Sequence, residues 1–370
     1  MAVPLLDLKA QHATIKADVV AALMDVVDHQ TFILGESVGQ LECQVAGLSH
    51  TTYAVGCANG SDALVLALRA LNVGREDEVI TTPFTFFATG GMVHNVGARP
   101  VFVDIDPRTF NIAPEAVVAA VGSRTKAVIV VDLFGQMAPI EQITAAASGR
   151  PVIEDAAQSI GASRMINGKM VMAGECAAIG TFSFFPSKNL GGYGDGGMMV
   201  TQDEELFDTL MKLRTHGSRK TYYHEIVGYN SRLDTLQAAV LLAKLPHLAA
   251  WSEARRRNAA FYDAAFADVG EVTTPYVDPA NTSIYNQYTL RADRRDALQA
   301  HLKTVGIGHA VYYPLALHLQ PCFAYLGYRE GQCPESERAT REVISLPVFP
   351  ELTTEQRAEV VAAVRTFYGR

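Results

Sequence analysis

Between residues 77 and 203 short apolar runs take turns with amphipathic ones, and this alternation limits the fold more than any other feature of the chain. "DEVITT" (77–82) has the makings of a strand, "FATGGMVHNVG" (87–97) of a helix, and "RPVFVDID" (99–106) of a strand again. "PEAVVAAV" (114–121) predicts a helix, "TKAVIVVDLFG" (125–135) a buried strand, "IEQITAAAS" (140–148) a helix and "RPVIED" (150–155) a strand. "CAAIGTFSFF" (176–185) and "GGMMVTQD" (196–203) add two further strands. Short apolar strands separated by helices imply an α/β fold, with a mostly parallel sheet covered on both faces. Helices are expected on either side of this run. Residues 10–29 carry apolar positions at helical spacing, "SDALVLALRAL" (61–71) places Ser61 at a cap, and 204–217 continues the pattern.

Residues 232–266 form a long helical stretch interrupted near Pro246, suited to joining two domains. Beyond it, predicted strands "NQYTLRA" (286–292) and "HAVYYP" (309–314) mix with helices at 294–306 and 354–369, as in a smaller α+β domain. A chain of 370 residues has room for both. The expected division is 1–245 for the large domain and 246–370 for the small one.

Charge and cysteine content narrow the function. A net charge of −8 argues against general nucleic-acid binding, which needs a basic surface. It leaves room for an anionic ligand held by a few local arginines. Five cysteines, widely spaced and without a C-x-x-C pair, suggest a reducing compartment with neither a disulfide framework nor a zinc site. The first twenty residues lack a basic start followed by an apolar run, and no apolar stretch reaches membrane-spanning length. The expected setting is the cytoplasm.

Four short stretches carry candidate chemistry. In "ANGSDALVLAL", Gly60 and Ser61 stand where a helix starts, and free N–H groups with the helix dipole favour an anion there. A serine capping a core helix accounts for the same letters. In "PVIEDAAQSIGA", Asp155 follows an apolar strand, where ligands of parallel sheets bind. A carboxylate there can hold a ring nitrogen protonated, or can merely cap the next helix. In "TTPFTFFATGGM", one of Phe84, Phe86 and Phe87 could lie flat on a planar ligand while the others pack in the core.

The fourth stretch, "TFSFFPSKNLGGYGDGGMMV", sets Lys188 before its glycines rather than after them, which is not the arrangement of a nucleotide P-loop. A lysine preceded by aromatics and Pro186 loses water, and desolvation lowers its pKa toward the neutral amine that Schiff-base chemistry requires. The glycines at 191–197 are expected to keep the loop thin enough for a cofactor and a bulky substrate to approach. Taken in order, an anion-binding helix start, a strand-end Asp and this lysine fit a pyridoxal phosphate site.

These stretches are also where the chain resembles the DegT/DnrJ/StrS family of nucleotide-sugar aminotransferases. "PLLDLKAQH", "FILGESVGQLE", "CANGSDAL", "DEVITTPFTFFAT", "VIEDAAQSIGA", "SFFPSKNLGGYGDGG", "GYNSRLDTLQAA" and "SLPVFP" spread the likeness over nearly the whole length. The resemblance implies fold type I, with a mostly parallel seven-stranded sheet in the large domain and an α+β C-terminal domain. It implies pyridoxal 5′-phosphate as cofactor. Lys188 would be the Schiff-base lysine and proton carrier, where dehydrases of the family have His. Gly60, Ser61 and Ser183 would hold the phosphate, Phe86 would stack on the ring, and Asp155 and Gln158 would meet its nitrogen and phenolic oxygen. Asn230 would reach the phosphate in a neighbouring subunit, which implies a homodimer with shared sites.

Within the family the chain is most similar to enzymes that aminate C3 of UDP-linked keto sugars with L-glutamate, for cell-surface polysaccharide, lipopolysaccharide or lipid A. Phe32, Ser187, Arg232, Tyr312 and Tyr313 take the expected substrate side. Glucuronate-specific relatives have Tyr where this chain has Phe32 and His where it has Tyr312. The resemblance therefore implies UDP-3-keto-N-acetylglucosamine as readily as its uronate, with dTDP-3-keto or 4-keto-6-deoxyhexoses and sugar dehydration as alternatives. Arg214, Arg219, Lys220 and Arg232 are the cations expected near the nucleotide pyrophosphate, and His216 and His224 are further candidates for substrate contact.

Overall fold

The computed structural model describes residues 2–370. Helices α1 (Leu8–His29) and α2 (Glu36–Leu48) lead into strand β1 (Tyr53–Cys57) and helix α3 (Gly60–Ala70). Then β2 (Glu78–Thr81), α4 (Phe87–Asn95), β3 (Arg99–Phe102), α5 (Pro114–Ala120), β4 (Thr125–Val131), α6 (Ile140–Ala146) and β5 (Val152–Asp155) follow as alternating units. A hairpin of β6 (Ser163–Ile166) and β7 (Lys169–Met172) interrupts the alternation before β8 (Ile179–Ser183), β9 (Gly197–Thr201) and α7 (Glu204–Leu213).

Seven of these strands form one sheet in the order β1-β9-β8-β5-β4-β2-β3. Pairing is parallel from β3 through β8, and β9 runs antiparallel to both of its neighbours. Register brings the strand ends level: Val131 pairs with Asp155, and Asp155 with Thr181. The near-continuous apolar runs read from the sequence follow from burial on both faces. Val128 and Val130 of β4 pack on one side with α6 and with Ala238 and Leu241, while Ala127 and Ile129 pack on the other with α3 and α4.

The long stretch after residue 232 becomes α8 (Thr235–Lys244), a single tight turn at 245–247 containing Pro246, and α9 (Leu248–Phe266). Before it lies a short ribbon, β10 (Ser218–Lys220) with β11 (Tyr223–His224). After it, β12 (Val272–Thr273), β14 (Tyr288–Ala292) and β15 (Val343–Leu346) make a three-stranded sheet, and β13 (Asn281–Thr282) pairs with β6. Helices α10 (Arg295–Thr304), α11 (Pro334–Glu342) and α12 (Thr354–Phe367) complete the chain. A separate apolar cluster includes Tyr262, Phe266, Tyr288, Leu302, Ile344 and Val360, and it also takes in Val3 from the other end of the sequence.

Two expectations need correction. "HAVYYP" is not a strand. Ala310 exchanges both backbone hydrogen bonds with Ser345, but the chain then leaves the ladder, and Tyr312 and Tyr313 turn to the cavity described below. Asn59, not Ser61, caps α3: its side chain accepts from Asp62 N at 2.8 Å. Asn and Ser are about equal as caps, so the shift of two residues could not be read from propensity alone.

Candidate active site

Five strands that run in the same direction deliver residues at their C-terminal ends to a single cavity of about 600 Å³. After β1 come Asn59, Gly60 and Ser61; after β2, Thr85 and Phe86; after β4, Leu133. From β5 come Asp155 and Gln158, and from β8 Ser183, Ser187 and Lys188. Tyr312 and Tyr313 close the wall from the C-terminal part of the chain, together with Gln287.

The start of α3 is available to an anion. With Asn59 acting as the cap, Ser61 is left facing the cavity in the first turn. Gly60 is required there by close approach: a Cβ on it would lie 2.7 Å from Ser183 Cβ and 3.0 Å from Ser183 Oγ. The helix start and the end of β8 thus touch backbone to side chain, and the glycine brings the N–H groups of α3 beside two hydroxyls.

Asp155 is buried, and burial raises its pKa above the ordinary carboxylate value. Three groups work against that shift: the Thr89 hydroxyl at 2.8 Å, the charge of Lys188, and the backbone N–H of Ala157. Lys188 keeps some accessible surface within the cavity, yet protein surrounds its Nζ closely enough that burial pulls the pKa down to about 8. Asp155 opposes this and holds the proton on. Lysine and acid therefore sense each other across the cavity.

Gln158 is oriented by the backbone. Its Oε1 accepts from Phe134 N at 2.7 Å, leaving Nε2 to donate to Tyr313 Oη at 3.3 Å. Phe134 stands in the left-handed region at φ 61°, a conformation rarely adopted by an aromatic residue and found chiefly at sites where strain is held by packing. Asp132 accepts from Ser159 Oγ and Ala138 N, both at 2.8 Å, and so fixes the turn that carries Gln158.

The three phenylalanines after β2 separate cleanly. Phe84 is fully buried, Phe87 stacks on Phe323, and Phe86 presents an exposed ring to the cavity. Of the remaining expected residues, Phe32 is not on the cavity lining, and Asn230 and Arg232 line a neighbouring polar hollow that shares Asn59 and Asp195 with it. Arg214 faces neither site as a free cation. It is buried, paired with Glu42 and bonded to Gly56 O, so it cannot serve a pyrophosphate. Arg219 pairs with Asp208, Lys220 lies over the Tyr223 ring, and His224 Nδ1 bonds to His216 O.

The glycines after Lys188 make their close approaches to protein rather than to the cavity. A Cβ on Gly191 would lie 2.3 Å from Pro186 O, one on Gly192 or Gly194 would meet Gln237, and one on Gly197 would lie 2.4 Å from Asn59 O. Sequence reading missed Thr89, Asn59, Gln287 and Asp195. Only their position beside recognisable stretches marked them out.

The cavity suits pyridoxal phosphate on the chemistry of its donors. Its lining brings together an open helix start with two hydroxyls and a buried carboxylate. An exposed aromatic face and a lysine of lowered pKa share the same lining. The sequence profile of the DegT/DnrJ/EryC1/StrS aminotransferase family matches residues 13–365. A pleiotropic regulatory protein of Geobacillus stearothermophilus is 53% identical over 100% of this chain and 99% of its own. UDP-N-acetyl-3-dehydro-alpha-D-glucosamine 3-aminotransferase of Acidithiobacillus ferrooxidans is 45% identical, again over 100% and 99%. UDP-2-acetamido-2-deoxy-3-oxo-D-glucuronate aminotransferase of Pseudomonas aeruginosa is 45% identical over 97% and 98%. Among solved structures, DesV of Streptomyces venezuelae superposes with a TM-score of 0.96 at 39% identity, over 100% of this chain and 99% of that one.

Proposed function

The chain belongs to the DegT/DnrJ/EryC1/StrS aminotransferase family, and we propose that it transfers the amino group of L-glutamate to C3 of a UDP-linked 3-keto hexose. The observation that carries the reading is the meeting of Lys188, Asp155 and the open start of α3 around one cavity at the C-terminal ends of the strands. The substrate class rests on the two relatives at 45% identity, whose names specify UDP-linked 3-oxo sugars, one neutral and one a uronate. A resident pyridoxal phosphate would supply an electron sink for bond breaking at the donor carbon.

In this reading Gly60 and Ser61, with Ser183, hold the phosphate through N–H and hydroxyl donors at the positive end of α3. Phe86, exposed to the cavity, would offer its face to the ring. Asp155 keeps the ring nitrogen protonated by a charge-assisted hydrogen bond, and Gln158 donates to the ring oxygen. Lys188 would be the covalent anchor of the cofactor, and its freed amine would serve as the base for the donor α-carbon proton and as the acid that supplies a proton to the sugar carbon. The lowered pKa keeps a useful fraction of that amine neutral near physiological pH.

Ser187, Tyr312 and Tyr313 face the substrate from within the cavity, while Arg232 approaches from the neighbouring hollow, which Ile33, next to Phe32 in the chain, also lines. Asn230 is exposed there and in a homodimer would reach the phosphate held by the second copy. Tyr222 and Val227, 89% and 94% exposed, extend an apolar surface suited to that second copy. The large domain is taken as 1–245 and the small one as 246–370. Among the described residues no helix is long and apolar enough to cross a membrane, and the reading places the enzyme in the cytoplasm, making an amino sugar for cell-surface polysaccharide, lipopolysaccharide or lipid A.

The test is a panel of 3-keto and 4-keto UDP- and dTDP-sugars offered with L-glutamate, the products read by mass and NMR. A 3-amino UDP-sugar with matching 2-oxoglutarate is expected. Exclusive use of 4-keto or dTDP-linked acceptors would replace the substrate assignment, and absence of glutamate-dependent 2-oxoglutarate with every acceptor would remove the aminotransferase reading.

A further inference from the structure

We propose that Lys244, acting with Gln237, is a positioning residue that sets the geometry of Lys188 by gripping the backbone of the loop that follows it. The proposal rests on the reading of Lys188 as the reacting lysine. The loop from 188 to 194 carries three glycines and one aromatic, Tyr193, with little side chain to anchor it, yet it is held at every second residue. Asn189 donates to Ile284 O at 3.0 Å and accepts from Asn286 Nδ2 at 2.8 Å. Gly191 O accepts from Lys244 Nζ at 2.6 Å. Tyr193 N donates to Gln237 Oε1 at 2.8 Å.

Gln237 and Lys244 stand seven residues apart on α8, and so present to the same side of the helix. The loop lies flat along that side because Gly192 and Gly194 lack the Cβ atoms that would strike Gln237. Lys244 is 2% exposed, an unusual place for an ammonium, and burial pulls its pKa down to about 8. A neutral amine still donates to a carbonyl, so the grip on Gly191 persists on both sides of that value. Nothing about the cavity lining requires Lys244, since it does not reach the cavity. Among the described residues its ammonium makes one hydrogen bond, to the loop, three residues from Lys188.

Displacing a reacting group by about 1 Å can cost roughly a hundredfold in rate, so a loop held at alternate residues has a direct link to turnover. The experiment uses the pyridoxal phosphate-loaded enzyme as wild type, Lys244→Met, Lys244→Arg and Gln237→Leu. Two quantities are read: the pH midpoint of the cofactor's visible absorbance, and the rate and glutamate dependence of the half-reaction with L-glutamate alone.

Lys244→Met is expected to move the absorbance midpoint by about half a pH unit or more. It should slow the half-reaction about tenfold, with the glutamate KM within about twofold. Lys244→Arg, which keeps a donor, should recover most of the rate. Gln237→Leu, at a partly exposed site, should produce the same changes on a smaller scale, and keeps the test open if Lys244→Met does not fold. Unchanged midpoint and rate in every folded variant, with only a lower Tm, would overturn the proposal. Borohydride labelling of wild type tells the two readings apart: label on Lys188 with unaffected variants rejects the positioning role alone, and label elsewhere rejects both.

Discussion

Thr89 donates its hydroxyl to Asp155 Oδ2 at 2.8 Å, tying the first turn of α4 to the acid at the end of β5. The bond favours the ionised carboxylate, against burial, which favours the neutral one. Thr89→Val keeps the shape and removes the donor. The Asp155 pKa is then expected to climb further, because hydrogen bonding to a charged group opposes protonation and its loss is worth about one pKa unit. An acid that must be ionised to act will then be protonated over a wider range. The acid limb of the kcat profile should move to higher pH by about one unit, while activity above that limb stays close to wild type. An acid limb that stays put in Thr89→Val would detach Asp155 from the pH dependence.

Lys188 and Asp155 are coupled in the opposite sense. Burial lowers the Lys188 pKa to about 8, and the Asp155 charge partly restores it. The nucleophile is the neutral amine. The rate at which apoprotein captures pyridoxal phosphate should therefore rise with pH and level off, with a midpoint near 8. Asp155→Asn removes the negative charge that stabilises the ammonium, so the midpoint should fall. Stopped-flow absorbance over a pH series measures both, and a midpoint near the ordinary lysine value of 10.5 in wild type would contradict the burial argument.

Lys188→Ala removes the covalent attachment and the proton carrier together. Gly60, Ser61, Asp155 and Gln158 are untouched, so the variant should still bind pyridoxal phosphate, dialysably and without a borohydride-stable label. Turnover should vanish. Sustained multiple turnover in this variant, measured as 2-oxoglutarate per enzyme, would assign the chemistry to another group.

Much of this site was legible because parallel sheets collect it. Each of Ser61, Phe86, Asp155 and Lys188 follows a predicted strand or opens a predicted helix, and alternation of strand and helix is enough to bring such positions to one edge. What escaped was long-range. Lys244 bonds Gly191 across 53 residues and Asn286 bonds Asn189 across 97, and no local pattern in either segment marks the partner. Arg214 shows the converse limit. Its place among other cations suggested an anion site, but Glu42, 172 residues away in the chain, takes the guanidinium into the interior. Strand β1 and helix α2 were also missed, β1 because "YAVGC" lacks the β-branched density of its neighbours.

Gly60 provides the sharpest test of the phosphate seat, because there the constraint is steric and local. A methyl group at this position would sit 2.7 Å from Ser183 Cβ, so the start of α3 and the end of β8 must separate by several tenths of an ångström. Overpacking of this kind costs about 1–3 kcal/mol. If the strained contact is relieved by moving the N–H groups away from the anion, the cost appears as lost affinity of about tenfold to a hundredfold. Gly60→Ala should therefore bind pyridoxal phosphate more weakly by that factor, while pyridoxal, which lacks the phosphate, should lose much less. Fluorescence titration of the apoprotein with both compounds separates the cases. Equal losses would mean that the substitution disturbs the ring site or the fold, and that the anion lies somewhere other than the start of α3.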